Sequence, residues 1–247
     1  MPETKPNLHL ILLAGGKGLR AGQDELPPKQ FRTTRRGMLF TVSLQNFLNV
    51  EPRAVTVTVA VPSAWRDEAN SALTPLLGPL DLPWLLAPAG ETRTRSTGNA
   101  VEALAASEHL PANDDLVAVH DAARPFASDQ LLDSLCVAAI NHGGAVPGIP
   151  LADTVIRMDG DAEGHATYLD RPRLRAVQTP QVFRWDLLLE AHRWATNTGA
   201  RFTDDGSLMA DRGHAPTIVE GDHRNWKITT EADWKRVEEL LGPNSLG

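Results

Sequence analysis

The stretch "LLAGGKGLRAGQDELPPKQF", residues 12–31, leads from an apolar segment into a glycine-rich turn and then reaches two prolines and a lysine. Glycine turns that follow a strand bind phosphate in several α/β folds, because their backbone N–H groups can approach an anion closely. Arg20 and Lys29 bring fixed positive charge from the two ends of the same loop. The stretch therefore predicts a phosphate-binding loop at the carboxyl end of the first strand of an α/β fold.

Three kinds of protein carry such a glycine turn. Gly16, Gly18 and Ala21 fit the G-x-G-x-x-G/A pattern of dinucleotide-binding folds, but the two prolines interrupt the helix that this pattern requires. A P-loop needs Ser or Thr after its lysine, whereas Lys17 is followed by Gly18. A nucleotidyltransferase is favoured, since the two cations can stabilise the charge that develops on a transferred phosphoryl group.

Strand-like and helix-like segments alternate along the chain, which is typical of a mostly parallel sheet with helices on both faces. The predicted strands are Leu8–Ala14, Val55–Pro62, Trp84–Ala87, Leu116–His120 and Ala145–Ile149. No linker or internal repeat divides residues 1–247. We therefore expect a single three-layer, Rossmann-like α/β domain.

Helix boundaries are indicated by short polar residues. Ser63 and Ser128 each precede a segment with helical spacing of apolar residues, and Thr230 with Asp233 has the spacing of a capping box. The helix after Ser128 is predicted to place three apolar residues on one face, Leu131, Leu135 and Ile140.

One segment breaks the alternation. From Leu151 to Val177, two extended runs flank the turn-rich "DGDAEG", which predicts a hairpin arm projecting from the sheet. The arm carries apolar residues such as Val155, Ile156 and Leu169. An isolated hairpin with apolar side chains needs a covering partner, so the segment also suggests an interface.

Composition excludes several classes of protein. A net charge of −7 disfavours a broad nucleic-acid surface, and the apolar runs are too short to span a bilayer. The first residues, "MPETKPN", lack the pattern of a secretory signal, and Cys136 is the single cysteine. We expect a cytoplasmic protein with neither a nucleic-acid nor a membrane partner.

A second motif follows the fourth predicted strand. "VAVHDAARPF", residues 117–126, places His120, Asp121 and Arg124 at the carboxyl edge where α/β sheets bind ligands. With the first loop, it makes the chain resemble the 2-C-methyl-D-erythritol 4-phosphate cytidylyltransferases of the non-mevalonate isoprenoid pathway, from about Leu8 to Leu241. The pieces that carry the resemblance are, in order, "AGGKGLR", "PKQF", "AGETRTRS", "VHDAARPF", "PLADT", "LDR", "QTPQVF", "TDD" and "NWKIT".

The resemblance implies a reaction and an assembly. CTP and 2-C-methyl-D-erythritol 4-phosphate, a polyol phosphate, would give 4-diphosphocytidyl-2-C-methyl-D-erythritol and pyrophosphate. Mg²⁺ would be held largely by the triphosphate oxygens and water, as is usual for that ion, with no metal site of the protein itself. The family's arm embraces a second subunit, so a homodimer through residues 151–177 is expected.

The resemblance also implies residue roles. Arg20 and Lys29 match the two cations that stabilise the transition state at the α-phosphate. Arg171 and Lys227 match the pair that holds the sugar phosphate for attack. The other matched positions lie near the sugar phosphate, at Asp121, Arg124, Thr154 and Thr179, or at the nucleotide, at Ala14, Gly15, Gly16, Gly18, Gly90 and Ser96.

Two alternatives stay open at this point. Ribitol 5-phosphate cytidylyltransferases share the "AGG" and "PKQF" pieces, although "HDAARPF" and Arg171 favour methylerythritol phosphate. A regulatory protein that binds a nucleotide without catalysis would share the glycine loop but leaves Lys29, Arg171 and Lys227 unexplained.

Some polar residues have simpler interpretations. We expect helix capping from Asp204 and Asp205 and packing from His120, His192, His214 and Cys136.

Three features depart from the family pattern. Gly15 stands where the family usually has alanine, and the link "AGQDELPP" before Lys29 is longer than usual. Arg224 stands where an acidic residue is common, which adds charge beside Lys227.

Overall fold

A computed structural model describes residues 5–15, 27–48, 53–158 and 164–241. Within these residues the strands are β1 (Leu8–Leu13), β2 (Thr33–Thr34), β3 (Gly37–Met38), β4 (Ala54–Val61), β5 (Trp84–Pro88), β6 (Leu116–Asp121), β7 (Gly144–Pro150), β8 (Ile156–Met158), β9 (Ala166–Tyr168), β10 (Arg175–Val177), β11 (Gln181–Arg184) and β12 (Thr217–Glu220). The helices are α1 (Leu39–Gln45), α2 (Arg66–Leu77), α3 (Arg93–Ala105), α4 (Asp129–His142), α5 (Trp185–Thr198), α6 (Asp205–Asp211) and α7 (Glu231–Leu240).

The central sheet has the order β5-β4-β1-β6-β11-β7, and β10 and β12 also pair with β7. The pairs of β1 with β4 and β6, and of β4 with β5, are parallel, whereas β11 is antiparallel to both of its neighbours. The predicted mostly parallel sheet is therefore confirmed. Leu13 pairs with Ala60 of β4 and with Asp121 of β6. The carboxyl ends of these three strands thus meet at one edge of the sheet.

Alternation along β1 divides the core into two layers. Leu8, Leu10 and Leu12 pack in the apolar cluster that includes α2 and α4, whereas Ile11 and Leu13 pack in the cluster that includes α3 and α5. Successive side chains of a strand point to opposite faces, so a strand buried on both faces reads as continuous apolar sequence. The three-layer architecture is confirmed.

Two of the predicted helix caps are present. The Ser128 hydroxyl accepts a hydrogen bond from the Leu131 N–H, and Thr230 forms a reciprocal capping box with Asp233. Ser63 does not cap α2, because a 3₁₀ turn over Ser63–Trp65 precedes that helix.

The prediction for α4 was partly wrong. Leu131 and Leu135 are buried, but Ile140 is 51% exposed. Ile140 lies five residues beyond Leu135, which is about 140° around the helix, so it faces away from the core.

The hairpin is present, with corrected bounds. β8 and β9 form a separate antiparallel pair in which Ile156 faces Tyr168 and Met158 faces Ala166. The end of the predicted segment, β10, instead pairs with β7 in the central sheet. Chain reversal after the hairpin returns the backbone to the sheet edge, so the arm is shorter than residues 151–177.

Among the helices of the described residues, none has the length and apolar character needed to cross a bilayer.

Candidate active site

An open cleft of about 300 Å³ lies at the carboxyl ends of β1 and β6. It is lined by five of the residues that the sequence analysis singles out, namely Gly15, Gly90, Ser96, Asp121 and Lys227. These residues come from distant parts of the chain, and the parallel register of β1 with β6 places Leu13, two residues before Gly15, beside Asp121 of the second motif. The cleft occupies the edge where open α/β sheets bind ligands.

Asp121 is the central charge of the cleft. Its side chain is 11% exposed, and its two oxygens accept from Lys227 Nζ at 2.6 Å and from Arg93 Nε at 3.2 Å. Burial alone would raise the pKa of Asp121, but the charges of Arg93 and Lys227 hold it well below its usual range. Asp121 therefore stays ionised at neutral pH. Lys227 is 42% exposed, and among the described residues its hydrogen bond to Asp121 uses one of its three donors.

Arg93 is a site residue that the sequence analysis missed. It stands in the first turn of α3, and its Nη1 donates to Asp205 at 2.7 Å while its Nε donates to Asp121. The two carboxylates raise the pKa of Arg93 although its burial would lower it. The "AGETRTRS" piece contained the signal, since an arginine next to a helix N-terminus after a strand faces the ligand edge of the sheet.

Asp205 extends this charge chain into the interior. Its other oxygen accepts from His192 Nε2 at 3.0 Å, and it is 1% exposed. Burial raises the pKa of Asp205, but the Arg93 charge and the His192 hydrogen bond outweigh it and lower the pKa to about 2. Asp204, by contrast, caps α6 by accepting from the Ser207 N–H at 2.9 Å. The structural interpretation of Asp204 is confirmed, whereas Asp205 also orients a residue that lines the cleft.

His120 and Thr179 form a hydrogen-bond network that holds the backbone of Asp121. His120 Nε2 lies 2.9 Å from the Arg124 carbonyl, which can only accept, so this nitrogen is the donor. His120 Nδ1 then accepts from the Thr179 hydroxyl at 3.1 Å, and that hydroxyl accepts from the Asp121 N–H at 3.0 Å. Burial lowers the pKa of His120 to about 4, so the ring is neutral at pH 7. The Thr179 hydroxyl therefore binds groups of the protein itself, and His120 is buried as expected but also takes part in the hydrogen bonds that hold Asp121.

Small residues shape the nucleotide side of the cleft. A Cβ atom added to Gly15 would lie 2.3 Å from the Ala89 Cβ, which explains why this chain does not carry the family's usual alanine there. A Cβ added to Gly90 would lie 2.5 Å from the Arg95 Cβ. The Gly90 N–H donates to the Ser96 hydroxyl at 2.9 Å, which fixes the turn before α3. Ala14, which precedes Gly15, is buried.

Two further predicted cations lie beside the cleft. Lys29 begins a 3₁₀ turn, and its Nζ donates to the Thr229 carbonyl at 2.5 Å, two residues beyond Lys227. Arg124 donates from Nη1 to the Asn225 carbonyl at 2.7 Å, two residues before Lys227. Both side chains therefore bind the backbone of the segment that carries Lys227.

Arg224 does not add free charge beside Lys227. Its guanidinium pairs with Asp222 at 2.8 Å within the same turn, and its side chain is 82% exposed. This departure from the family pattern is therefore neutralised locally.

Other predicted residues lie away from the cleft or outside the described residues. Thr154 and Arg171 lie on the segment around the arm, where Arg171 donates to the Ala152 carbonyl, and neither lines the cleft. Gly16, Gly18 and Arg20 lie outside the described residues, as does most of the longer link before Lys29. Within the described ranges no cluster of three or more His, Cys, Asp or Glu is arranged to hold a metal ion.

The fold and the cleft define a class, the α/β nucleotidyltransferases, whose ligands bind at the carboxyl edge of the sheet. The family model described as "IspD: 2-C-methyl-D-erythritol 4-phosphate cytidylyltransferase" matches residues 8–242. The chain belongs to this family, and the predicted resemblance is confirmed.

Similar proteins extend this assignment. The "Bifunctional enzyme IspD/IspF" of Rhodopseudomonas palustris strain BisB18 is 39% identical over 233 residues, which are 94% of this chain and 55% of that protein. The chain thus spans about half the length of the curated relatives it matches. A crystal structure of 2-C-methyl-D-erythritol 4-phosphate cytidylyltransferase from Thermus thermophilus is 30% identical with a TM-score of 0.72, covering 95% of this chain and 98% of that one. The corresponding Francisella tularensis structure is 27% identical with a TM-score of 0.74, covering 94% and 99%.

The Arg93 network predicts a pH-dependent loss of stability. A carboxyl group whose pKa is depressed on folding contributes stability above its unfolded pKa, and this contribution is lost as the pH falls through the folded pKa. For Asp205 the window runs from 3.8 down to about 2. We expect Arg93→Met to lower the free energy of unfolding by about 3–5 kcal/mol at pH 7, because it leaves the buried Asp205 carboxylate without its cation and leaves Asp121 paired with Lys227 alone. The difference from the unmodified protein should shrink below pH 4, because the carboxyl groups of the variant, which lack the Arg93 charge, become protonated at a higher pH than those of the unmodified protein.

Urea unfolding midpoints between pH 7 and pH 3 would test this expectation. The matched control is Arg193→Met, which breaks the Arg193–Glu102 pair, 53% and 49% exposed, and should cost no more than about 1 kcal/mol at any pH. A difference for Arg93→Met that stays constant over the whole pH range would contradict the coupling.

Proposed function

We propose that this chain transfers the cytidylyl group of CTP to 2-C-methyl-D-erythritol 4-phosphate and releases pyrophosphate. The observation that carries the proposal is the Lys227–Asp121–Arg93 cluster, which stands in a cleft whose other wall is formed by Gly15 and Gly90. Membership of the family, and the names of its relatives with solved structures, support the same activity. The reaction joins a phosphate oxygen of the polyol phosphate to the α-phosphorus and breaks the bond to the β-phosphate.

Each wall of the cleft has a role in this reaction. The small residues Gly15 and Gly90 leave room for a flat base and ribose, and Ser96 keeps the Gly90 turn in place. Lys227 offers its free donors to the phosphate of the polyol, while Asp121 and Arg93 hold the ammonium group at the cleft. Lys29 Nζ lies at the Thr229 carbonyl, two residues beyond Lys227. From there it would contribute positive charge at the α-phosphate, where negative charge grows in the transition state.

We further propose that Mg²⁺ enters with the triphosphate, where it would neutralise charge on the departing pyrophosphate. The donor set supports this mode, because Asp121 is already bound by two cations and the described residues form no carboxylate cluster. We place the activity in the cytoplasm, a reducing compartment in which the free, buried thiol of Cys136 needs no partner.

An assay of pyrophosphate release tests the activity directly. With CTP and Mg²⁺, we expect methylerythritol phosphate to be turned over and ribitol 5-phosphate to react much more slowly, and EDTA should abolish the reaction. Faster turnover of ribitol 5-phosphate would assign the chain to the other polyol phosphate. Nucleotide binding without turnover of either polyol phosphate would instead favour a regulatory protein.

Lys29 and Lys227 should have different kinetic roles. Lys29→Ala should lower kcat by about 10²-fold with little effect on nucleotide binding, because the contact strengthens as charge develops. Lys227→Ala should raise KM for the polyol phosphate, since it removes a ground-state contact to phosphate. Steady-state kinetics in both substrates distinguish the two, and Lys235→Ala on the exposed face of α7 is the matched control. The same kinetic profile for both lysine variants would refute the division of roles.

We also propose a homodimer built by the arm. Apolar side chains of the hairpin are open to solvent in the single chain, with Met158 59% exposed and Tyr168 77% exposed. Exposed apolar surface on a small two-stranded unit is typical of an interface. Arg171 and Thr154 stand on the same segment and away from the cleft of their own chain, so we propose that they serve the cleft of the partner.

Mixing two inactive variants tests this arrangement. Arg171→Ala and Lys29→Ala proteins are each expected to lose most activity, and a mixed dimer would contain one site with both residues intact. Activity should therefore partly recover after the subunits exchange. If exchange is demonstrated by mass spectrometry and activity does not recover, each chain completes its own site.

A further inference from the structure

We infer that Arg32 is a positioning residue for Lys29. By binding the first turn of α7, Arg32 fixes the turn that carries Lys29 and so keeps Lys29 at a constant position relative to Lys227. The inference rests on the proposed function, in which both lysines act on phosphate groups. The Arg32 side chain contacts Glu231 and Trp234, which belong to α7. We call Arg32, Glu231 and Trp234 the α7 clamp.

Arg32 makes two kinds of contact in the clamp. Its Nη1 lies 2.9 and 3.0 Å from the two carboxylate oxygens of Glu231. Its guanidinium carbon lies 4.2 Å from the centroid of the Trp234 ring. The Arg32 side chain is 16% exposed and Trp234 is buried. A guanidinium held by a carboxylate and an aromatic face has few alternative positions, so the backbone at Arg32 is tied to α7.

A further contact between the two segments involves Lys29 itself. Its Nζ donates to the carbonyl of Thr229, the residue that directly precedes the N-cap Thr230. Asp233 accepts from the N–H groups of Thr229 and Thr230 at 2.8 and 2.7 Å, which fixes that carbonyl relative to the helix. Lys227 stands two residues earlier on the same backbone. The positions of Lys29 and Lys227 are therefore both fixed relative to the start of α7.

The clamp is not needed to keep the Lys29 turn folded. Phe31 is buried in the core and stacks on Trp65 with 4.8 Å between ring centroids. Glu231 is 44% exposed, and an ion pair with an exposed partner contributes little to stability. Catalysis is far more sensitive, since a displacement of about 1 Å can lower a rate by about 10²-fold. Loss of the clamp should therefore be seen in turnover rather than in unfolding.

Three substitutions measure the effect in the pyrophosphate-release assay. Arg32→Ala and Glu231→Gln should each lower kcat by about 10-fold, with KM for CTP and the thermal midpoint nearly unchanged. Arg32→Lys keeps the charge but loses the planar fork, so it should resemble Arg32→Ala and not the unmodified protein. The matched control is Arg193→Ala, which breaks the remote pair of Arg193 with Glu102 at 2.8 and 3.3 Å and should leave kcat unchanged.

The decisive comparison is made in a Lys29→Ala background. If Arg32 acts through Lys29, adding Arg32→Ala should change the residual kcat by less than about twofold. A full, independent loss in the double variant would overturn the inference, as would an unchanged kcat in Arg32→Ala.

A second measurement does not require turnover. Acetylation of lysines by an N-hydroxysuccinimide ester, followed by mass spectrometry, should show Lys29 reacting severalfold faster in Arg32→Ala than in the unmodified protein. Lys235, exposed on α7, should react equally in both. Unchanged Lys29 reactivity would contradict the clamp. An unmodified protein that acetylates as expected but turns over no polyol phosphate would sink the proposed function alone.

Discussion

The contact of the buried Asp121 carboxylate with Arg93 and Lys227 organises the carboxyl edge of the sheet. Asp121 ends β6 beside Leu13 of β1, so its backbone is fixed by the parallel ladder. A lone carboxylate at this depth would cost several kcal/mol, which makes a cation from another element necessary. Arg93 and Lys227 meet that need from α3 and from the segment before α7. One buried charge thereby brings two distant segments of the chain to the same point.

The segment that carries Lys227 is held mainly through its backbone. Gln178 Nε2 donates to the carbonyls of Asp222 and Asn225 at 2.8 and 3.1 Å, and Arg124 Nη1 donates to the Asn225 carbonyl at 2.7 Å. Asn225 returns a hydrogen bond to the Thr179 carbonyl at 2.8 Å. A loop with so many buried partners loses its conformational entropy on folding, before any substrate arrives. The Lys227 side chain can then be aimed with little further cost on binding.

The fold was predictable because its signals are local. Continuous apolar runs such as that of β1, and caps such as Ser128, depend on nearest neighbours along the chain, and the structure confirms both. The roles of charged residues were less predictable, because they depend on which side chains meet across the fold. Arg93 was missed for this reason, and Asp205 was taken for a helix cap alone. Their contact spans 112 positions of the chain, and no spacing rule reports it.

The positive and negative charges of four groups at the cleft balance one another, so these groups offer no excess positive charge to a bound anion. Arg93 and Lys227 are matched by Asp121 and Asp205, so these four groups are together neutral. The proposed substrates, a triphosphate and a phosphomonoester, would bring several negative charges into this neutral setting, where they would repel one another. On the proposed function, we expect the compensating charge to come from Lys29, Arg20 and Arg171 and from Mg²⁺. A cleft whose own charges are balanced can fold without a ligand, and on the proposed function it would become competent for phosphoryl transfer only when those cations assemble around the substrates.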